Sequence, residues 1–142
     1  MPHRTRVGVG LMLLNDAGQV LLGRRMVAGN GEGDYAAVGG EMEFGESVEA
    51  AILRELAEEC GDEVQVRDLK QISVINWRNP GGDQWIGLGS VAWLAAGEPR
   101  RTEPHKMGEW GWYDLENLPK PLYVPTAWTI EAYLTGKVWF DG

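Results

Sequence analysis

"GGEMEFGESVEAAILRELAEECGD", residues 39–62, carries eight acidic residues and opens on two glycines. An acidic helix is ordinarily a solvated face, and spacing decides whether that holds here. Ser47 is a suitable N-cap and Gly61 a suitable stop, which predicts a helix over 47–60. At 100° per residue, Val48, Ile52, Leu56 and Cys60 form an apolar stripe, widened in this reading by Leu53 and Ala57. Glu55 and Glu59 stack four apart on the neighbouring face, with Glu58 three beyond Glu55. Glu59 lies near the apolar boundary and is expected to be partly buried. Clustered carboxylates removed from water repel and take up protons unless a cation compensates. A hard cation such as Mg²⁺ suits an all-oxygen cluster. Gly39 and Gly40 let backbone approach a ligand closely, and Arg54 is placed to hold Glu46 or Glu58.

Working outward, "RVGVGLMLLNDAGQVLLGRR" reads as a β-hairpin, with strands over 7–14 and 20–22 around the turn 15–18. Residues 26–35 form a Gly-rich loop, and 35–38 a short strand entering Gly39-Gly40. Strands are expected near 64–77 and 85–95, joined by the turn "RNPGGDQ", with another over 109–115 and a second helix over 126–135. Strands interspersed with two helices predict an α/β or α+β sandwich. The 142 residues suit one domain. A net charge of −8 argues against broad binding to nucleic acid polymers, though not against a small phosphorylated ligand accompanied by a cation. No apolar run has the length of a membrane span, the start lacks the apolar core of a signal peptide, and Cys60 is the only cysteine. A cytoplasmic location is the resulting expectation.

Gly40, five residues, Glu46, seven residues and then Arg54-Glu55-Leu56-Ala57-Glu58-Glu59-Cys60-Gly61 resembles the signature of the Nudix hydrolases, with all seven fixed polar or glycine positions present. Two departures from the family pattern stand out: Asp62 stands where an aliphatic residue is preferred, with Val64 available to supply that packing, and Ala37-Val38 stands where many members have Leu-Pro. Together with "VGVGLMLLN", "VLLGRR" and "EPHKMGEWGWYDLENLP", the chain is similar to the MutT-type nucleoside triphosphate pyrophosphohydrolases.

The resemblance implies an α/β/α sandwich with a mixed sheet and a loop–helix–loop metal site. It implies Mg²⁺- or Mn²⁺-dependent hydrolysis of a nucleoside triphosphate to a monophosphate and pyrophosphate. Nucleotide sugars or dinucleotides are the alternative substrates, and a non-catalytic nucleotide-binding module is a further one. Carried over, Glu55, Glu58 and Glu59 bind metal with the Gly39 carbonyl, while Glu46 and Arg54 orient them. Gly40 and either Arg24 or Arg25 meet the substrate, since strand alternation lets only one of the two arginines face it. The general base is a signature glutamate, Glu103 or Glu109. Tyr123 and Trp128 are candidates to stack on a base, with Trp110 and Trp112 as competitors whose default is core packing. His105 has no partner at metal spacing, and Cys60 reads as core. A homodimer is implied by the resemblance alone.

Overall fold

The computed structural model describes residues 3–29 and 31–142. In chain order the elements are β1 (Arg6–Leu14), β2 (Val20–Arg25), β3 (Tyr35–Ala36), β4 (Val38–Glu41), α1 (Val48–Cys60), β5 (Gln65–Arg78), β6 (Gln84–Ala96), β7 (Met107–Tyr113), α2 (Val124–Thr135) and β8 (Trp139–Asp141). The sheet runs β3-β2-β1-β6-β5-β8, with β4 pairing β1 and β7 pairing β2. It is mixed: β1 lies parallel to β6 and antiparallel to β4.

Alternation along β1 divides the core. Val9, Leu11 and Leu13 pack with Ile52, Leu56 and Cys60 of α1, whereas Met12 and Leu14 pack with Ile130 of α2. Successive side chains of a strand point to opposite faces, so one strand serves both layers and the sheet is sandwiched between the helices. Among the described residues no helix is long and apolar enough to cross a membrane.

Several local expectations change. The hairpin over 7–22 is splayed, because β1 meets β2 only at Leu14↔Val20. The rest of β1 is taken by β4 and β6, whose pairings bury more of its length. The strand expected over 35–38 is two: the chain leaves β2 after Ala36 and joins β1 at Val38. At that switch Ala37 N donates to Thr126 Oγ1 at 3.0 Å. The strand over 109–115 lies instead at Met107–Tyr113, and α2 begins two residues early, after Tyr123. β8 escaped the sequence reading; three residues docking parallel to β5 carry too short a pattern to see.

Helix α1 starts as expected, with Ser47 Oγ accepting from Ala50 N at 3.1 Å. Its buried face is rotated, however, to Ala51, Ile52, Leu56, Glu59 and Cys60, and Leu53 is 42% exposed. Val64 is buried in the same core. Leu56→Ala is therefore expected to cost about 2–5 kcal/mol in urea unfolding, the range for truncation in a packed core. Leu53→Ala should stay within about 0.5 kcal/mol, as a surface change does; equal losses at both sites would contradict this helix orientation.

Candidate active site

The turn between β4 and α1 is drawn onto the helix by one side chain. Arg54 donates from Nε and Nη2 to the two carboxylate oxygens of Glu46 at 2.7 and 3.0 Å, and from Nη1 to Glu55 at 2.8 Å and Glu58 at 2.9 Å. A further bond runs from Nη2 to the Glu41 carbonyl at 3.0 Å. These partners hold the guanidinium pKa above its ordinary value, Glu46 first and Glu58 next. The same bond from Arg54, joined by the Glu43 N–H, lowers the pKa of Glu46. The pairing of Glu46 with Arg54 is thus present in the structure.

Behind this pair the helix face meets β4. Gly39 N donates to Glu59 Oε1 at 2.8 Å. A Cβ on Gly40 would lie 2.3 Å from the Glu55 carboxylate carbon, so a side chain there would displace that carboxylate from its place. Burial pushes the Glu59 carboxyl up to about 8, against the Gly39 hydrogen bond and with help from Glu55 and Glu103. Burial also raises Glu55, with Arg54 opposing. Glu58 is exposed.

Among the described residues no three His, Cys, Asp or Glu side chains already converge as a ligand set. Arg54 holds Glu55 and Glu58, while Gly39 N holds Glu59. The donor chemistry nevertheless fits a hard divalent cation. Three carboxylates stand at i, i+3 and i+4, two of them disfavoured as anions by burial, beside a glycine cradle that a side chain would fill.

The C-terminal end of α1 is secured from far along the chain. Arg100 N donates to the Cys60 carbonyl at 2.8 Å, Thr102 Oγ1 to that of Glu58, and Trp110 Nε1 to that of Glu59 at 3.0 Å. Helix ends leave their last carbonyls without intrahelical donors, so the 100–110 segment completes this helix. The segment also brings Glu103 close enough for its charge to bear on Glu55 and Glu59. Glu109 is exposed on β7 and figures in neither shift. Trp110 and Trp112 pack against the α1 core, as their default reading has it.

Beside the carboxylates lies a cavity of about 260 Å³ whose lining includes Gly39, Gly40, Glu59, Arg25 and Tyr123. The alternation of β2 separates the two arginines. Arg25 lies 4.1 Å over the Tyr123 ring, while Arg24 is exposed, with Nε donating to the Gly33 carbonyl at 3.3 Å. Tyr123 meets Trp77 edge-on at 5.3 Å. Trp128 is not brought to the cavity and instead stacks on Phe140 at 5.8 Å. Sequence reasoning missed Trp77 and Trp85, which line it. The available signal was a run of alternating glycines in "VGVG" and "GLG", which marks bare faces on two strands.

Fold and site together define an α+β sheet protein with a carboxylate-bearing helix clamped beside an apolar cavity. The chain belongs to the NUDIX domain family, whose model matches residues 4–133. Its structure resembles that of a MutT NUDIX hydrolase from Burkholderia pseudomallei, with a TM-score of 0.84 and 31% identity over 92% of this chain and 98% of that one. Among curated relatives, it is 30% identical over 93% of its length to the NAD-capped RNA hydrolase NudC of Stutzerimonas stutzeri. It is 35% identical over 63% of its length to an ADP-ribose pyrophosphatase of Methanocaldococcus jannaschii. The chain spans about half the length of these curated relatives, 44% and 51%.

The raised carboxyl of Glu59 has a measurable consequence. Its folded pKa lies above the unfolded value near 4.5, so the metal-free folded state holds the additional proton between about 4.5 and 8. Stability in chelator is then expected to fall as pH rises through that window, because the folded state binds more protons than the unfolded one. Glu59→Gln should make that slope shallower and melt at or above the wild-type temperature at pH 8. A chelated wild type that gains stability between pH 5 and 8 would contradict the assignment.

Proposed function

We propose that the protein is a Mg²⁺-dependent pyrophosphohydrolase, with Mn²⁺ as a substitute, acting as one Nudix domain on a nucleoside diphosphate linked to a further group. The observation that carries this is the carboxylate-bearing face of α1, whose buried Glu59 lies in the lining of a mostly apolar cavity. One side suits metal-bound phosphates and the other a base. Glu55, Glu58 and Glu59, with the Gly39 carbonyl, would hold the cation. A divalent cation there neutralises charge on phosphate oxygens and makes water more acidic.

The protein's own residues divide the remaining work. Arg54 and Glu46 orient the carboxylates, and Arg25, braced on Tyr123, faces the phosphates at the mouth of the cavity. Glu103 accepts the proton of the attacking water. The new bond forms between water oxygen and phosphorus, the anhydride P–O bond breaks, and the leaving phosphate departs with its electron pair. Glu103 is preferred to Glu109 because its charge reaches Glu55 and Glu59.

A nucleoside triphosphate is the first substrate reading. It is supported by the resemblance to MutT-type enzymes and by the 31% identity to a MutT NUDIX hydrolase across 98% of that chain. The second is ADP-ribose or another dinucleotide, favoured by the names of the two curated relatives.

A panel of triphosphates, ADP-ribose and NAD, assayed with Mg²⁺ or Mn²⁺ and with products identified, separates the two. Monophosphate and pyrophosphate from a triphosphate are expected, and a clear preference for ADP-ribose would select the second reading. Glu103→Gln should lower kcat by about 10²-fold or more, the usual contribution of a general base. Glu109→Gln should leave kcat within about twofold of wild type, well below what loss of such a base costs. The opposite pattern would move the base to Glu109.

A further inference from the structure

The cavity owes its shape to missing side chains. Gly8 pairs with Gly87 and Gly10 with Gly89 across β1 and β6, and Gly10 pairs on its other side with Gly39 of β4. Alternation puts Gly8, Gly10, Gly87 and Gly89 on the α2 face of the sheet. A Cβ on Gly10 would meet nothing closer than Val38 O at 3.8 Å, and one on Gly87 nothing closer than Ile75 Cβ at 3.5 Å. These two positions have room for a methyl group at ordinary van der Waals distance, whereas the space above Gly8 is taken by the Trp85 ring and that above Gly89 by Ser73 and Thr129. Trp77 and Trp85, register partners on β5 and β6, wall one side. At about 260 Å³ the cavity falls below the about 300–1,000 Å³ typical of pockets for whole drug-sized ligands. It suits one flat ring system whose phosphates remain outside on the carboxylate face.

The polar side chains among the described lining residues are few: Arg25, Glu59, Tyr123, Thr126 and Thr129. Thr126 Oγ1 accepts from Ala37 N, and Thr129 Oγ1 is bonded to Ser73 Oγ at 3.2 Å. The floor's peptide groups belong to strands paired in the sheet. Among the described residues its lining includes no Asn, Gln, Asp, His or Lys; Arg25 lies over the Tyr123 ring, and the one carboxylate, Glu59, accepts from Gly39 N.

We propose that this glycine-floored slot selects the nucleotide by the planarity and thickness of its base, not by the hydrogen-bonding pattern of the base edge, and so admits purines and pyrimidines with weak discrimination. The inference rests on the nucleotide-hydrolase reading and specifies its substrate class. An apolar pocket separates related ligands by only about 10–200-fold, whereas a site built to hydrogen-bond a polar edge rejects analogues by about 10⁴–10⁵.

The test is binding, read by tryptophan fluorescence and calorimetry, of the non-hydrolysable α,β-methylene analogues of ATP, GTP, CTP and UTP with Mg²⁺. Their Kd values are expected to lie within about 100-fold of one another. Gly10→Ala and Gly87→Ala each place a methyl at ordinary van der Waals distance, 3.8 and 3.5 Å from the nearest atom, so folding should survive. Each should weaken all four analogues by about tenfold or more, as overfilling a packed site does. Preference for one base beyond about 10³-fold, or wild-type binding by both variants, would overturn the proposal. Base-tolerant binding without hydrolysis of natural triphosphates or ADP-ribose would support the slot while removing the pyrophosphohydrolase reading. Hydrolysis with strict base preference would do the reverse.

Discussion

The rest of the site depends on how one guanidinium shares itself among carboxylates. Glu55, Glu58 and Glu59 occupy neighbouring positions on α1, where like charges repel, and burial disfavours the ionised forms of Glu55 and Glu59. Arg54 offsets part of this by bonding Glu46, Glu55 and Glu58 at once. In doing so it ties the turn after β4 to the helix, which holds Gly39 and Gly40 against the carboxylates. Its planar fork is suited to this role, and a lysine point charge could not serve several oxygens in fixed directions. Glu59 lies beyond its reach and keeps a high pKa. The cluster is therefore left with a residual demand for positive charge, located where a cation would meet phosphates.

A second constraint acts at the other end of α1. The carbonyls of Glu58, Glu59 and Cys60 receive donors from Thr102, Trp110 and Arg100. The carboxylate positions are thereby fixed along the helix axis by a segment some forty residues away. The same segment carries Glu103.

The sheet contributes by what it omits. On the α1 face β1 presents Val9, Leu11 and Leu13, which make an ordinary core. On the α2 face it presents Gly8 and Gly10 before Met12 and Leu14 resume packing. Its parallel partner β6 repeats the pattern with Gly87 and Gly89 ahead of Val91. One end of a continuous core is thus left open beside Glu59. The aromatic walls are supplied by β5, β6 and the start of α2, so the cavity lies where four elements meet.

The signature helix was legible in the sequence because its information is local. Ser47 and Gly61 bound it, glutamates at i, i+3 and i+4 share a face, and Arg54 with Glu46 lies within one loop and two turns. The family and the layered architecture followed from the same residues. What sequence periodicity misjudged on α1 was the width of its apolar face: Leu53 is exposed, while Glu59, expected to be partly buried, is buried. The buried Glu59 accepts from the Gly39 N–H, a contact across the fold. That Arg25 and not Arg24 lines the cavity, that the charge of Glu103 and not Glu109 bears on Glu55 and Glu59, and that Trp77 and Trp85 line the cavity while Trp128 does not, likewise required tertiary structure. Each depends on which strand pairs with which, and pairing is set by burial summed over the whole sheet, not by neighbours in the chain. The glycines of "VGVG" and "GLG" show the boundary well. Their alternation was visible in the sequence, but two bare strand faces become a slot only when parallel pairing sets them side by side.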